Sequence, residues 1–107
     1  MKLKKIDQKK PLEKDIESYL CKEIKRLGGT AYKFTSPGRR SVPDRLCVLP
    51  GGVIAFIECK APGKEPTERQ YNEINKLKVL GHDVTWVDTK EQVEEVVNRL
   101  GKQMHKK

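Results

Sequence analysis

The chain has 107 residues, 36% of them hydrophobic, and a formal net charge of +8 from 23 Lys and Arg against 15 Asp and Glu. That length implies one domain with a modest core, and no apolar run is long enough to cross a bilayer. The basic start, MKLKKIDQKK, lacks the apolar stretch of a signal peptide, which points to the cytoplasm or nucleoplasm. The charge surplus has two readings: a polyanionic partner, most simply nucleic acid, or a solvated, solubilising surface.

Residues 1–10 are expected to form a flexible basic arm. A helix should run from Pro11 to Leu27, with Leu12, Ile16, Leu20, Ile24 and Leu27 as its apolar stripe and Gly28-Gly29 as its stop. TAYKFT (30–35) reads as a strand and SPGRRSVP (36–43) as a loop. Two apolar runs follow, RLCVLP (45–50) and VIAFIECK (53–60), joined at Gly51-Gly52 as a hairpin. Their near-continuous hydrophobicity predicts burial on both faces, in mid-sheet.

APGKEP (61–66) is a second loop. Thr67 and Gln70 form a capping box for a helix to about Leu80, its stripe being Tyr71, Ile74, Leu77 and Leu80. DVTWV (83–87) is a strand. A second box, Thr89 with Gln92, opens a last helix to Leu100 carrying Val93, Val96, Val97 and Leu100. Residues 101–107 read as a basic tail, leaving a single domain over 11–100. The order αβββαβα predicts an α/β fold, a central mixed sheet flanked by helices.

Cys21, Cys47 and Cys59 form no CxxC pattern and fall on predicted helix or strand, so buried reduced thiols are expected. With both histidines isolated, zinc-ligand spacing is missing from the sequence. Tyr19, Tyr32, Phe34, Phe56, Tyr71 and Trp86 read as core rather than as base-stacking platforms.

The chemistry concentrates at Asp44, Glu58 and Lys60. The hairpin brings Asp44 beside the Glu58-Cys59-Lys60 end, so two carboxylates and an amine converge. Such a set suits a hard divalent cation and an activated water, as phosphodiester cleavage needs. Taken singly, each residue also fits an ordinary strand-end ion pair or a turn acid. Glu58 and Lys60 share a face while Cys59 points away. A two-residue turn, with Pro50 opposite Val53, puts Asp44 opposite Cys59 on the wrong face. One extra residue, as a bulge or a three-residue loop, is expected to put Asp44 opposite Lys60 and on the Glu58 face. An irregularity near Asp44 is therefore expected. Arg39 and Arg40, just before the site, could grip phosphates or simply stand solvated in their loop, and Lys64 has the same two readings.

The pattern Pro43-Asp44 followed by Glu58-Cys59-Lys60 resembles the PD-(D/E)xK nuclease superfamily. The run GRRSVPDRLCVLPGGVIAFIECKAPGKEPTERQ is similar to the VRR-NUC domain family, with a resemblance extending over residues 12–100. It implies a restriction-endonuclease-like fold. It also implies that Asp44 and Glu58 bind Mg²⁺ or Mn²⁺, with the Cys59 backbone carbonyl as a third ligand. Lys60 would orient or deprotonate the attacking water, and Gln70 would hydrogen-bond Lys60, the water or the phosphate. Glu17 on the first helix would complete the site, directly or through water, with Glu13 one turn earlier as the competing candidate.

The reading from all this is a metal-dependent, structure-specific endodeoxyribonuclease. No base-reading module is left over in a chain of this size. A homodimer would supply two sites related by a twofold axis, which matches a four-way (Holliday) junction. The resemblance places such a small stand-alone member in a phage-infected or bacterial cell. A flap, nicking or restriction-like nuclease is the alternative enzyme. A non-catalytic DNA-binding module and a small basic interaction protein are the alternatives of other classes.

Overall fold

The computed structural model describes residues 12–39 and 41–106. The expected arm at 1–10 and Arg40 lie outside the described residues. The elements are α1 (Glu13–Arg26), β1 (Thr30–Lys33), β2 (Arg45–Leu49), β3 (Val53–Cys59), α2 (Glu68–Val79), β4 (Val84–Val87) and α3 (Lys90–His105). The strands lie side by side in chain order. β1–β2 and β2–β3 pair antiparallel and β3–β4 parallel, giving the expected mixed αβββαβα architecture.

The helix α1 forms because Ile16, Leu20 and Ile24 recur every four residues and bury one stripe completely. Each such side chain contributes about 2 kcal/mol relative to exposure. The expected stripe is shorter than read: Leu12 is the N-cap and is exposed, its amide donating to Asp15 Oδ2 at 2.7 Å. The stripe of α1 and that of α3 (Val93, Val96, Val97, Leu100) pack on the sheet face formed by Cys47, Leu49, Val53, Ala55, Ile57 and Cys59.

The opposite face departs from expectation. β2 and β3 are central, yet Val48 is 38% and Ile54 50% exposed, and they sit directly across from each other. Tyr32, paired with Leu46 on the same face, is 57% exposed rather than core. The reason is α2, which packs toward β4 through the Tyr71–Trp86 edge contact and leaves this end of the face open. On α2 only Ile74 is fully buried, and Leu80, expected in its stripe, is 65% exposed.

The predicted hairpin irregularity lies in the turn. Leu49 pairs with Val53 across three residues, Pro50-Gly51-Gly52, wound as a 3-10 turn with both glycines at positive φ. The ladder then runs regularly to Arg45↔Ile57. Continuing that register sets Asp44 opposite Glu58, not Lys60. The extra residue does move Asp44 onto the Glu58 face, but it shifts the partner toward the turn rather than away from it.

The last helix is longer than read. Residues 101–105 continue α3 instead of forming a tail, because Met104 packs on the core one turn beyond Leu100. Its N-terminus also differs from a reciprocal box. Thr89 accepts from the Gln92 amide, while the Gln92 side chain accepts from the Asp88 N–H at 2.7 Å.

Candidate active site

The site begins where the β2–β3 ladder stops. Beyond Arg45↔Ile57 the two strands exchange side chain for backbone: the Asp44 N–H donates to Glu58 Oε1 at 3.2 Å, and the Cys59 N–H donates to Asp44 Oδ2 at 3.1 Å. Each acid thus satisfies a backbone amide at the other's end of the ladder. The Asp44 carbonyl still accepts from Phe34 N–H, so β2 stays tied to β1 while it parts from β3. β3 stays paired with β4 through Glu58↔Trp86 and Cys59↔Val87.

Glu58 is 1% exposed, the one charged side chain in the buried set of described residues. Its second oxygen, Oε2, accepts from Gln70 Nε2 at 3.0 Å and lies 3.3 Å from Lys60 Nζ. Gln70 reaches it from the first turn of α2, where its own Oε1 accepts from the Thr67 N–H at 2.8 Å. One amide therefore caps the helix with its oxygen and contacts the acid with its nitrogen. Burial, then the neighbouring Asp44 charge, pushes the Glu58 carboxyl up to about 7, against the opposing pull of Lys60. Asp44 is also raised, first by burial and then by Glu17, while the Cys59 amide and Lys60 pull it down.

Of the residues read from sequence, Asp44, Glu58, Lys60 and Gln70 come together. Glu17 is half-committed elsewhere: its Oε2 accepts from Arg45 Nε at 2.9 Å, and Arg45 also donates to the Ala31 carbonyl. Its charge still acts on Asp44. Glu13 is raised by burial and then by Asp44, so both α1 acids face the pair electrostatically. Arg39 does not reach Asp44 but pairs with Glu73 of α2 at 3.0 Å. Lys64 is exposed and makes no ion pair among the described residues. Cys59 and Cys47 are buried, and burial pushes the Cys47 thiol up to about 12 and the Cys59 thiol upward too. A neutral Cys59 thiol offers no anionic ligand, consistent with a role for its backbone only. Arg45 and Glu73 were missed in the sequence; the alternation that turns Arg45 toward α1 was the available signal for the first.

The acids Glu13, Glu17, Asp44 and Glu58 influence one another near Lys33, Arg45 and Lys60, an acid-rich spot in a chain of charge +8. Among the described residues, no three Asp, Glu, His or Cys side chains gather tightly enough to hold a metal by themselves. The donors fit a hard cation that takes two carboxylates and completes its shell with water, backbone or substrate oxygen, the habit of Mg²⁺. They do not fit a closed zinc site.

A restriction-endonuclease-like sheet with paired acids, a lysine and a helix-borne glutamine at the strand ends defines the nuclease class. No family model matches the chain. It is 53% identical over 79 residues to "Putative nuclease p44" of Acyrthosiphon pisum secondary endosymbiont phage 1, covering 74% of this chain and 85% of that protein. It superposes on a solved VRR_NUC domain with a TM-score of 0.76 at 31% identity, covering 80% of this chain and 94% of that one. The chain belongs to the VRR-NUC nuclease family. Among the described residues no helix is long and apolar enough to cross a membrane.

Proposed function

We propose that the protein is a Mg²⁺- or Mn²⁺-dependent, structure-specific endodeoxyribonuclease acting as a homodimeric four-way junction resolvase. The observation that carries the nuclease reading is the exchange between Asp44 and Glu58, with Lys60 and Gln70 on the same Glu58 oxygen.

In this reading Asp44, Glu58 and the Cys59 carbonyl hold the cation, and Glu17 or Glu13 adds an outer acid. When bound, the cation supplies Lewis-acid charge to the scissile phosphate and the attacking water. Lys60 orients that water and offsets phosphate charge. Gln70 holds Glu58 in its rotamer and lowers the cost of its ionisation. Arg39 and Lys64, with Arg40, bind the DNA backbone. Support for a dimer comes from the open sheet face, where Tyr32, Val48 and Ile54 lie exposed together and a second copy would cover them.

The test is cleavage with Mg²⁺ or Mn²⁺ of a four-way junction, a 5′-flap and linear duplex, beside Asp44→Asn, with the mass measured by sedimentation. Paired symmetric cuts confined to the junction, from a dimer and lost in the variant, bear the proposal out. Cutting of flaps or any duplex by a monomer replaces the resolvase with a broader nuclease. Binding without cleavage under either metal leaves only a binding module.

A further inference from the structure

Two hollows flank the turn before the site, and Arg39 lines both. The first, about 310 Å³, includes Lys33, Thr35, Ser36 and Asp44, so it reaches the Asp44 side of the acid pair. The second, about 270 Å³, includes Ser41 and, from α2, Arg69, Asn72 and Glu73. Each has the volume of a small-ligand pocket rather than of a duplex groove.

The wall between them is a tight turn, Ser36 paired with Arg39 in an isolated bridge and Arg39 N–H donating to the Ser36 carbonyl at 3.1 Å. Gly38 sits at its tip with positive φ and open space around it. Arg69 and Asn72 are three apart on α2, so they present one helix face, both exposed, with Gln70 between them turned to the acid. Their groups, with the Ser and Thr hydroxyls and Lys33, are those that grip phosphate and sugar oxygens. The Arg39–Glu73 contact spans the second hollow, with Arg39 52% and Glu73 12% exposed.

We propose that the two hollows are consecutive nucleotide subsites along one DNA strand, and that Glu73 holds Arg39 until a phosphate displaces it. The strand passes from Lys33 and Asp44, over Arg39, to Arg69 and Asn72. Glu73 restrains binding: it competes with the substrate for the guanidinium. This extends the nuclease reading by naming where the substrate strand leaves the acids, and it rests on that reading for the position of the cut.

The experiment is equilibrium binding of a fluorescent four-way junction in metal-free buffer, over a salt series, to purified protein. Arg69→Ala should weaken binding about tenfold and lower the slope of log K against log salt by about one. Lys102→Ala, on α3 against the other sheet face, removes the same charge and should change binding less than about twofold. Glu73→Gln should tighten binding several-fold, and the gain should vanish in Arg39→Ala/Glu73→Gln. Circular dichroism confirms that each variant folds. Equal losses in Arg69→Ala and Lys102→Ala, or no tightening in Glu73→Gln, overturn the proposal. Because the binding assay reads no cleavage, setting it beside the cleavage assay above lets the two hypotheses fail separately. Expected binding by a wild type that cuts nothing sinks the nuclease and keeps the track. Normal cutting with an Arg69→Ala that binds like wild type does the reverse.

Discussion

Replacing Gln70 with Glu separates the two jobs of one side chain. Glutamate keeps the oxygen that accepts from the Thr67 N–H, and glutamate is itself a favoured residue at that helical position. It loses the Nε2 donor to Glu58 Oε2 and sets a second carboxylate there. A hydrogen bond to a charged group is worth about 1.5–3 kcal/mol, or roughly one to two units of pKa at about 1.4 kcal/mol each. Glu58 already stands at about 7. At pH 7.5 in the metal-free protein the ionised fraction should fall roughly three- to twenty-fivefold, and the cleavage rate at subsaturating metal with it. Rates measured from pH 6 to 10 should show the rising limb displaced upward by about one to two units, with activity recovering toward alkaline pH. The melting temperature should stay within about 3 °C, since the cap survives. Wild-type rates across that range would refute the reasoning. So would a uniform loss of activity that tracks a collapse in melting temperature.

Three further outcomes follow from the same geometry. The folded state holds the Glu58 proton up to about pH 7, whereas an unfolded chain releases it near 4.5. The associated stability is complete below the unfolded value and is lost as pH rises through the folded one, a change on the order of 3 kcal/mol. Melting temperature in chelator should therefore fall between pH 5 and 8, and added Mg²⁺ or Mn²⁺ should restore more at pH 8 than at pH 6; equal restoration at both would remove Glu58 from the cation's ligands. Asp44→Asn and Asp44→Ala should both abolish cleavage while retaining DNA binding, but only alanine strands the Cys59 N–H, costing about 1–3 kcal/mol more in urea denaturation. Gly29→Ala should destabilise by about 1–3 kcal/mol or more, because its Cβ would lie 2.4 Å from the Val48 carbonyl oxygen. Gly101→Ala, whose Cβ would meet only Leu27 Cδ2 at 3.8 Å inside α3, should stabilise by about 0.8 kcal/mol; opposite signs in paired thermal melts test both.

Local chemistry was legible in the sequence and long-range pairing was not. The α1 stripe, the Thr67–Gln70 box and the glycine turn each lie within a few residues, so spacing alone located them. The hairpin reading brought Asp44 beside Glu58 and Lys60, whereas Gln70 joined them only through the resemblance to the VRR-NUC family. Gly81 takes a positive φ just beyond α2, whereas the residues read as a basic tail after Leu100 continue α3 through Gly101 because Met104 finds the core. The Arg39–Glu73 and Arg45–Glu17 pairs join residues 34 and 28 apart, and each depends on how an irregular segment or a strand end meets a helix. The open sheet face had the same cause: near-continuous hydrophobicity predicted strands buried on both faces, but α2 leans toward β4 and leaves Val48 and Ile54 uncovered.

The three-residue turn at Pro50–Gly52 acts as a parity setting for the whole hairpin. Its odd length assigns Cys47, Leu49, Val53, Ala55 and Ile57 to the inner face, and by the same count gives Asp44 and Glu58 the other. Inserting or deleting one residue there would turn every side chain of one strand to the opposite face of the sheet. The acids could not drift apart while the core stayed whole, because one slip would turn the core outward in the same step. An inactive but well-folded descendant of this chain would therefore arise by changing a side chain, and a shortened turn would be met as an unfolded protein rather than a silent one.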